Sequence, residues 1–173
     1  MFLLTFDSSL LFSLKCDKIK EQKRQRVVYR RKKMEQDRKL AGNEKIETAI
    51  YALQKEMTDE MLAHTLTVIR KRAKENGHVI VSLDPLAGQD SLQMRVLCTD
   101  DGKRWFTAYT SFEEQSKDKN GVMSAFTAEL GKIFRITLDA DGIEGLILNP
   151  YHCTLMLNRQ LIRIILGETA ANE

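Results

Sequence analysis

Apolar residues recur at helical spacing from Asn43 onward. Ile46, Ala49, Ile50, Leu53 and Met57 fall at i, i+3, i+4, i+7 and i+11, which puts them on one face of a helix with Asn43 as the expected N-cap. A second helix is expected from Thr58, with Met61, Leu62, Leu66, Ile69 and Ala73 on its buried side. It should stop at Asn76-Gly77, where Gly77 suits a left-handed position after the last turn. Neither helix has enough apolar positions to stand alone, so they must pack on a sheet or on each other.

The pattern then changes to strand. His78 to Leu83, Leu92 to Thr99 and Lys103 to Tyr109 are rich in β-branched and aromatic residues, and Asp100-Asp101-Gly102 makes a tight link between the last two, so an antiparallel meander is expected. Asp84 to Ser91, with Pro85 and Gly88, reads as an exposed loop. Ser111-Phe112-Glu113-Glu114 matches a capping box at the start of a short helix. After the polar loop Lys117 to Gly121 and the short apolar piece Val122-Met123, a helix is expected from about Thr127, with Leu130, Ile133, Phe134 and Leu138 as its buried stripe. Gly145 to Asn149 and Thr154 to Leu157 should form a hairpin across Pro150-Tyr151-His152. Asn158 should cap a last helix whose Leu161, Ile162, Ile165 and Leu166 point inward before Gly167. The fold class is thus α+β: two N-terminal helices, then a mainly antiparallel sheet, meander plus C-terminal hairpin, with helices packed on it.

A chain of 173 residues can bury one good core and is too short for two ordinary domains. The division expected is a basic extension over 1–42, an α+β domain over 43–167 and a frayed tail over 168–173. The net charge of +3 hides an uneven distribution. Ten Lys and Arg residues lie between Lys15 and Lys33 against Asp17 and Glu21, whereas Met34 to Glu173 carries 17 Lys and Arg against 21 Asp and Glu. The globular part is mildly acidic, which argues against non-specific nucleic-acid binding by it.

The opening MFLLTFDSSLLFSL is shorter than the roughly 20 apolar residues a spanning helix needs. Its positive charge follows the apolar stretch instead of preceding it, and no small-residue cleavage site appears, so neither a transmembrane segment nor a signal peptide is expected. Charge runs of this kind are most often solvated, and a nucleic-acid arm of Lys23, Arg24, Arg26, Arg30, Arg31, Lys32 and Lys33 is the competing reading. A third is that translation starts at Met34, because Arg30 to Lys33 can be written in purine-rich codons resembling a bacterial ribosome-binding site. Cys16, Cys98 and Cys153 form no C-x-x-C pair, so neither a disulfide framework nor a zinc site is expected, and a reducing, cytoplasmic setting fits.

The stretch NEKIETAIYAL, the strand and cap FTAYTSFEE and the segment GLILNPYHCTLMLNR together resemble the N-terminal domain of the bacterial SseB family, named for enhanced serine sensitivity. The similarity runs from about Asn43 to Leu166. Its most specific pieces are Ala108 to Ser111 with Glu113-Glu114, and Leu148-Asn149-Pro150. The family commonly has a glycine soon after the Asn-Pro, where this chain has Tyr151, His152 and Cys153. The resemblance implies a cytosolic α+β module with no established catalytic residues; no cofactor is expected.

The residues themselves support no enzyme. His152 and Cys153 are adjacent, and neighbours on an extended backbone point apart, whereas a Cys-His catalytic pair is normally assembled from separated segments. His64 and His78 lack metal-ligand spacing with each other or with Cys98. Asp139 to Glu144 has its glycine at the fourth position instead of the sixth of a calcium loop, so a turn is expected there. Trp105 and Tyr109 share one strand face opposite Phe106. That face is either core or, with Asn149, Pro150, Tyr151 and His152 at its rim, an interaction surface with flat apolar area and polar tips. The expected function is a non-catalytic binding or regulatory module for a protein or small-molecule ligand. The alternative is a nucleic-acid-associated protein acting only through the residues before Met34.

Overall fold

The structure is a computed structural model that describes residues 34–85, 92–119 and 124–168. The chain divides into two units, 1–38 and 39–173. Of the first, the described residues 34–38 are helical. The apolar N-terminal stretch, the basic residues up to Lys33, Cys16 and the piece Val122-Met123 lie outside the described residues.

The second unit opens with helices α1 (Glu44–Lys55) and α2 (Asp59–Lys74). Their buried residues are those of the expected apolar faces, Ile46, Ala49, Ile50 and Leu53 on α1 and Leu66 and Ile69 on α2. Met57 is an exception: α1 has already ended, and the side chain is exposed in the link to α2. Thr58 caps α2, its hydroxyl accepting from the Met61 amide. At the other end the left-handed residue is Asn76 (φ 53°), not Gly77. The amides of Asn76 and Gly77 donate to the carbonyls of Ala73 and Arg72, a Schellman closure that puts Gly77 one place beyond the left-handed residue. Glycine is still needed there, because a Cβ would lie 2.5 Å from the Arg72 side chain.

Seven strands follow: β1 (His78–Pro85), β2 (Leu92–Met94), β3 (Val96–Cys98), β4 (Arg104–Tyr109), β5 (Ser124–Glu129), β6 (Gly145–Leu148) and β7 (Leu155–Asn158). Between them lie α3 (Phe112–Ser116) and α4 (Leu130–Asp139), and α5 (Arg159–Leu166) closes the unit. The sheet is mostly antiparallel. β5 runs along one edge of β1 from His78↔Glu129 to Leu83↔Ser124. On the opposite edge, β4 meets β1 at Ile80↔Tyr109 and Val81↔Ala108, and β2 takes over from Leu83↔Met94. β3 pairs with β4 from Val96↔Phe106, so the single strand expected over Leu92 to Thr99 bends at Arg95 and fills the wedge where β1 and β4 part.

Two features depart from the expected topology. SAFTAE, of which Thr127 to Glu129 are expected to open a helix, is strand up to Glu129, and the helix begins at Leu130. Its six residues are recruited by full-length pairing with β1, an instance of tertiary context overriding weak local preference. The C-terminal hairpin β6–β7 joins the rest through a parallel pairing of β6 with β4, from Trp105↔Gly145 to Ala108↔Leu148. Gly145 is required by this crowding, since a Cβ would sit 2.1 Å from the Leu157 carbonyl oxygen and 2.8 Å from the Trp105 ring.

Helices α1, α2, α4 and α5 cover one face of the sheet. Val79, Val81, Ala108, Leu146, Leu148 and Leu157 from the strands meet Ile46, Ile50, Ile69, Phe134, Ile162 and Ile165 from the helices in one apolar core. Phe106 packs against this core, as its opposition to Trp105 and Tyr109 requires. On the other face Tyr109 and Ile80 cluster with Leu40. Asn158 caps α5 through the Leu161 amide, and Gly167 closes it in the left-handed conformation (φ 79°).

Candidate functional site

The parallel strands β4 and β6 end side by side, and the loop leaving β6 carries the most elaborate polar network of the unit. Asn149 (φ 52°) and Cys153 (φ 42°) are both left-handed, a conformation that costs a non-glycine residue about 1–2 kcal/mol and must be held in place. The holding groups are visible. The Asn149 amide donates to the Ala108 carbonyl at 2.9 Å, prolonging the sheet. Its side-chain oxygen accepts from the Thr110 amide at 2.9 Å, and its Nδ2 donates to the Thr110 hydroxyl at 2.8 Å. That hydroxyl in turn donates to the Glu47 carboxylate on α1 at 2.5 Å. The Asn149 carbonyl accepts from the Thr154 hydroxyl at 2.7 Å and the His152 amide at 3.3 Å, and Cys153 Sγ donates to the Glu47 carbonyl at 3.2 Å.

Asn43 completes the clamp from the other side. It precedes α1 but makes no capping bond. Its Nδ2 donates to the carbonyls of His78 and Thr110, each at 2.8 Å, while its Oδ1 accepts from Arg72 Nε at 2.9 Å. Thr110 is therefore gripped by Asn43 at its carbonyl and by Asn149 at its amide, and the end of β4 is tied to α1, α2 and the loop.

Beside the loop sits a charged cluster. Ser111 caps α3 as expected, its hydroxyl accepting from the Glu114 amide at 3.3 Å. The Glu114 side chain does not return to the helix start as a full capping box would. Its Oε1 accepts from Lys117 Nζ at 2.5 Å and lies 3.0 Å from His152 Nδ1, which is itself 2.9 Å from Lys117 Nζ. His152 Nδ1 accepts from the ammonium when unprotonated and donates to the carboxylate when it carries the proton; one nitrogen cannot do both. The bond to Glu114 holds the Lys117 ammonium above its usual pKa. Glu114 is buried, and its Oε2 has no hydrogen-bond partner.

The candidate surface residues divide. Trp105 is 6 % exposed, Tyr109 0 % and Asn149 1 %, so the packing of β1, β4 and β6 removes all three from a solvent-facing surface. Pro150 is half-buried, and Tyr151 at 38 % and the His152 side chain at 58 % are the exposed members. Tyr109 donates its hydroxyl to Asp118 at 2.9 Å, and Asp118 also accepts from Arg95 at 2.6 Å. Burial first, and then the Asp118 carboxylate, push the tyrosine pKa far above its ordinary value. Ser82 Oγ, Trp105 Nε1 and Thr107 Oγ1 are buried without partners. The residues of the candidate nucleic-acid arm, Lys23 to Lys33, lie outside the described residues.

Cys153 faces away from nucleophilic chemistry. Burial, and after it the carboxylates of Glu114 and Glu47, raise its thiol to about 11, whereas a reactive cysteine needs a lowered pKa. Its sulfur is engaged with the Glu47 carbonyl, while His152 faces Glu114 and Lys117. His64 is exposed on α2, and His78 Nδ1 sits 2.8 Å from the Asn76 carbonyl oxygen. Among the described residues no group of His, Cys, Asp and Glu could hold a metal ion.

Sequence reasoning missed the roles of Glu47, Thr110, Lys117 and the Arg95–Asp118 pair. No local pattern marks the Thr110, Glu47 and Arg95–Asp118 bonds, because their partners lie across the fold, Thr110 and Asn149 being 39 positions apart; Lys117 reaches Glu114 three residues away, but its contact with His152 spans 35.

A comparison with protein families decides the kinship. The SseB protein N-terminal domain matches residues 46–163. The chain belongs to the SseB family. The match contains the whole sheet, the α3 cap and the Asn149-Pro150 loop. No curated protein and no solved structure matches the chain. Three residues after Pro150, Cys153 takes the left-handed conformation that glycine adopts freely.

Proposed function

We propose that this SseB domain is a non-catalytic recognition module that binds a small ligand or a protein partner at the loop from Asn149 to Cys153. The observation that carries this reading is the loop itself: both ends are held left-handed by hydrogen bonds to the fold, while Tyr151 and His152 project into solvent. Holding a strained backbone in place lowers the ordering cost of binding. No nucleophile is activated nearby, since the Cys153 thiol is raised instead of lowered. Among the described residues no helix is long and apolar enough to cross a membrane, and the free Cys98 and Cys153 suit a reducing compartment.

The test is thermal unfolding of the full chain against amino acids, serine included, nucleotides and short RNA. A ligand at about a hundredfold its dissociation constant adds roughly 2.7 kcal/mol, a shift of a few degrees. The expected result is a shift that persists at raised salt and disappears in the double variant Tyr151→Ser, His152→Ala. A shift given only by RNA and lost steeply with salt would transfer the function to the basic N-terminal residues.

A further inference from the structure

A groove of about 420 Å³ runs along the outer junction of α1 and α2, away from the loop. From α1 it is lined by Lys45, Thr48, Ala49 and Ala52, and from α2 and the residue after it by Met61, His64, Val68, Lys71, Arg72 and Glu75. The two helices form a hairpin through a short link, so the start of α1 lies against the end of α2. The lining is consequently polarised. Ala52 and Met61 make an apolar end near the link, while Lys45, Lys71 and Arg72 gather at the other, where Gly42 lies under the Arg72 guanidinium.

The charge at that end contrasts with the rest of the unit. Lys39 to Glu173 carries 16 Lys and Arg against 19 Asp and Glu, yet the single acid lining the groove is Glu75. Glu75 is 4.0 Å from Arg72, and Arg72 is also committed to Asn43 and the Lys39 carbonyl. Lys45 and Lys71, both exposed, are left to face a ligand.

We propose that this groove docks an acidic amphipathic helical segment of a partner protein, apolar side chains toward Ala52, Met61 and Val68, carboxylates toward Lys45 and Lys71. Shape and charge both favour that occupant. The lining runs about 10 Å along α1 and about 21 Å along α2, two to four helical turns, the reach of anchors spaced i, i+3/i+4 and i+7. A small amphiphile would need walls enclosing most of its surface, and this groove between two helices is about half open. The segment between Lys15 and Lys33 of this chain, with ten bases against two acids, has the wrong sign to fill it.

The probe is a labelled synthetic peptide of about three helical turns, with leucines at i, i+3 or i+4 and i+7 and glutamates on the flanking positions, titrated against the full chain by fluorescence anisotropy. Binding is expected, weakened about tenfold or more by Lys45→Glu with Lys71→Glu and abolished by Ala52→Trp, which fills the apolar end. Far-UV circular dichroism establishes that these variants fold, and the loop variant Tyr151→Ser, His152→Ala should bind the peptide normally, which separates this groove from the loop reading. No binding at millimolar peptide, equal binding of a lysine-for-glutamate peptide, indifference to the charge reversal, or laurate binding in the groove where the peptide does not would each overturn the proposal.

Discussion

The two ends of the β4–β6 pair are held by different physics. At the Trp105↔Gly145 end, specificity is a matter of shape: a large indole lies against a backbone so close that only glycine fits, and its own N–H goes unpaired. At the Thr110–Asn149 end it is a matter of hydrogen bonds, with two asparagines, a threonine and Glu47 satisfying one another across three elements. Shape complementarity secures the join between meander and hairpin but offers nothing to a ligand. The polar end holds a loop in one conformation, with Tyr151 and His152 exposed on it.

Breaking the shape-held end should have the largest effect. Trp105→Ala is expected to cost about 3–5 kcal/mol, measured by denaturant unfolding, because a buried aromatic leaves a cavity that a packed sheet cannot close. A cost near zero would mean that the indole is a surface anchor after all. Breaking the polar end should be milder. Asn149→Ala leaves the buried Thr110 amide without its partner, so a loss of about 1–3 kcal/mol is expected. It should also abolish any ligand-dependent shift, whereas Trp105→Ala should leave that shift intact in the fraction still folded.

The smallest effect sharpens the polar end by pH. Cys153 has its folded pKa raised from 9.0 to about 11, so the folded state holds the thiol proton more tightly than the unfolded chain does. Its contribution is fully present below pH 9 and is lost as pH rises through 11. Denaturant unfolding between pH 8 and 11 should show this loss together with one from Tyr109, whose pKa is raised as well, and Cys153→Ser should remove only the part that begins near pH 9. At pH 8 a thiol reagent should modify the exposed Cys98 well before Cys153.

The helical faces of α1 and α2, the caps at Thr58, Ser111 and Asn158 and the β6–β7 hairpin were legible in the chain, because each rests on residues within a turn or two of one another. Asn43 shows the limit. As an asparagine ahead of a helix it has the signature of an N-cap, yet its amide is spent on His78 and Thr110, 35 and 67 positions away. SAFTAE shows another, since its strand character comes from β1 and not from its own residues. The same holds for the candidate site. Tyr151 and His152 could be picked out from the turn they occupy, but nothing local distinguishes Trp105 and Tyr109 as core from the same residues as surface.

By itself the sequence determined the α+β class, the SseB kinship and most helix and hairpin boundaries, through periodicity, capping and turn chemistry that act over a few residues. Only the tertiary structure decided the parallel join of β4 to β6, the burial of Trp105, Tyr109 and Asn149, the Glu114–Lys117–His152 cluster and the polarised groove between α1 and α2. Each of these depends on which distant groups share a low-dielectric interior or a common face, and that proximity is created by the packing of helices on the sheet.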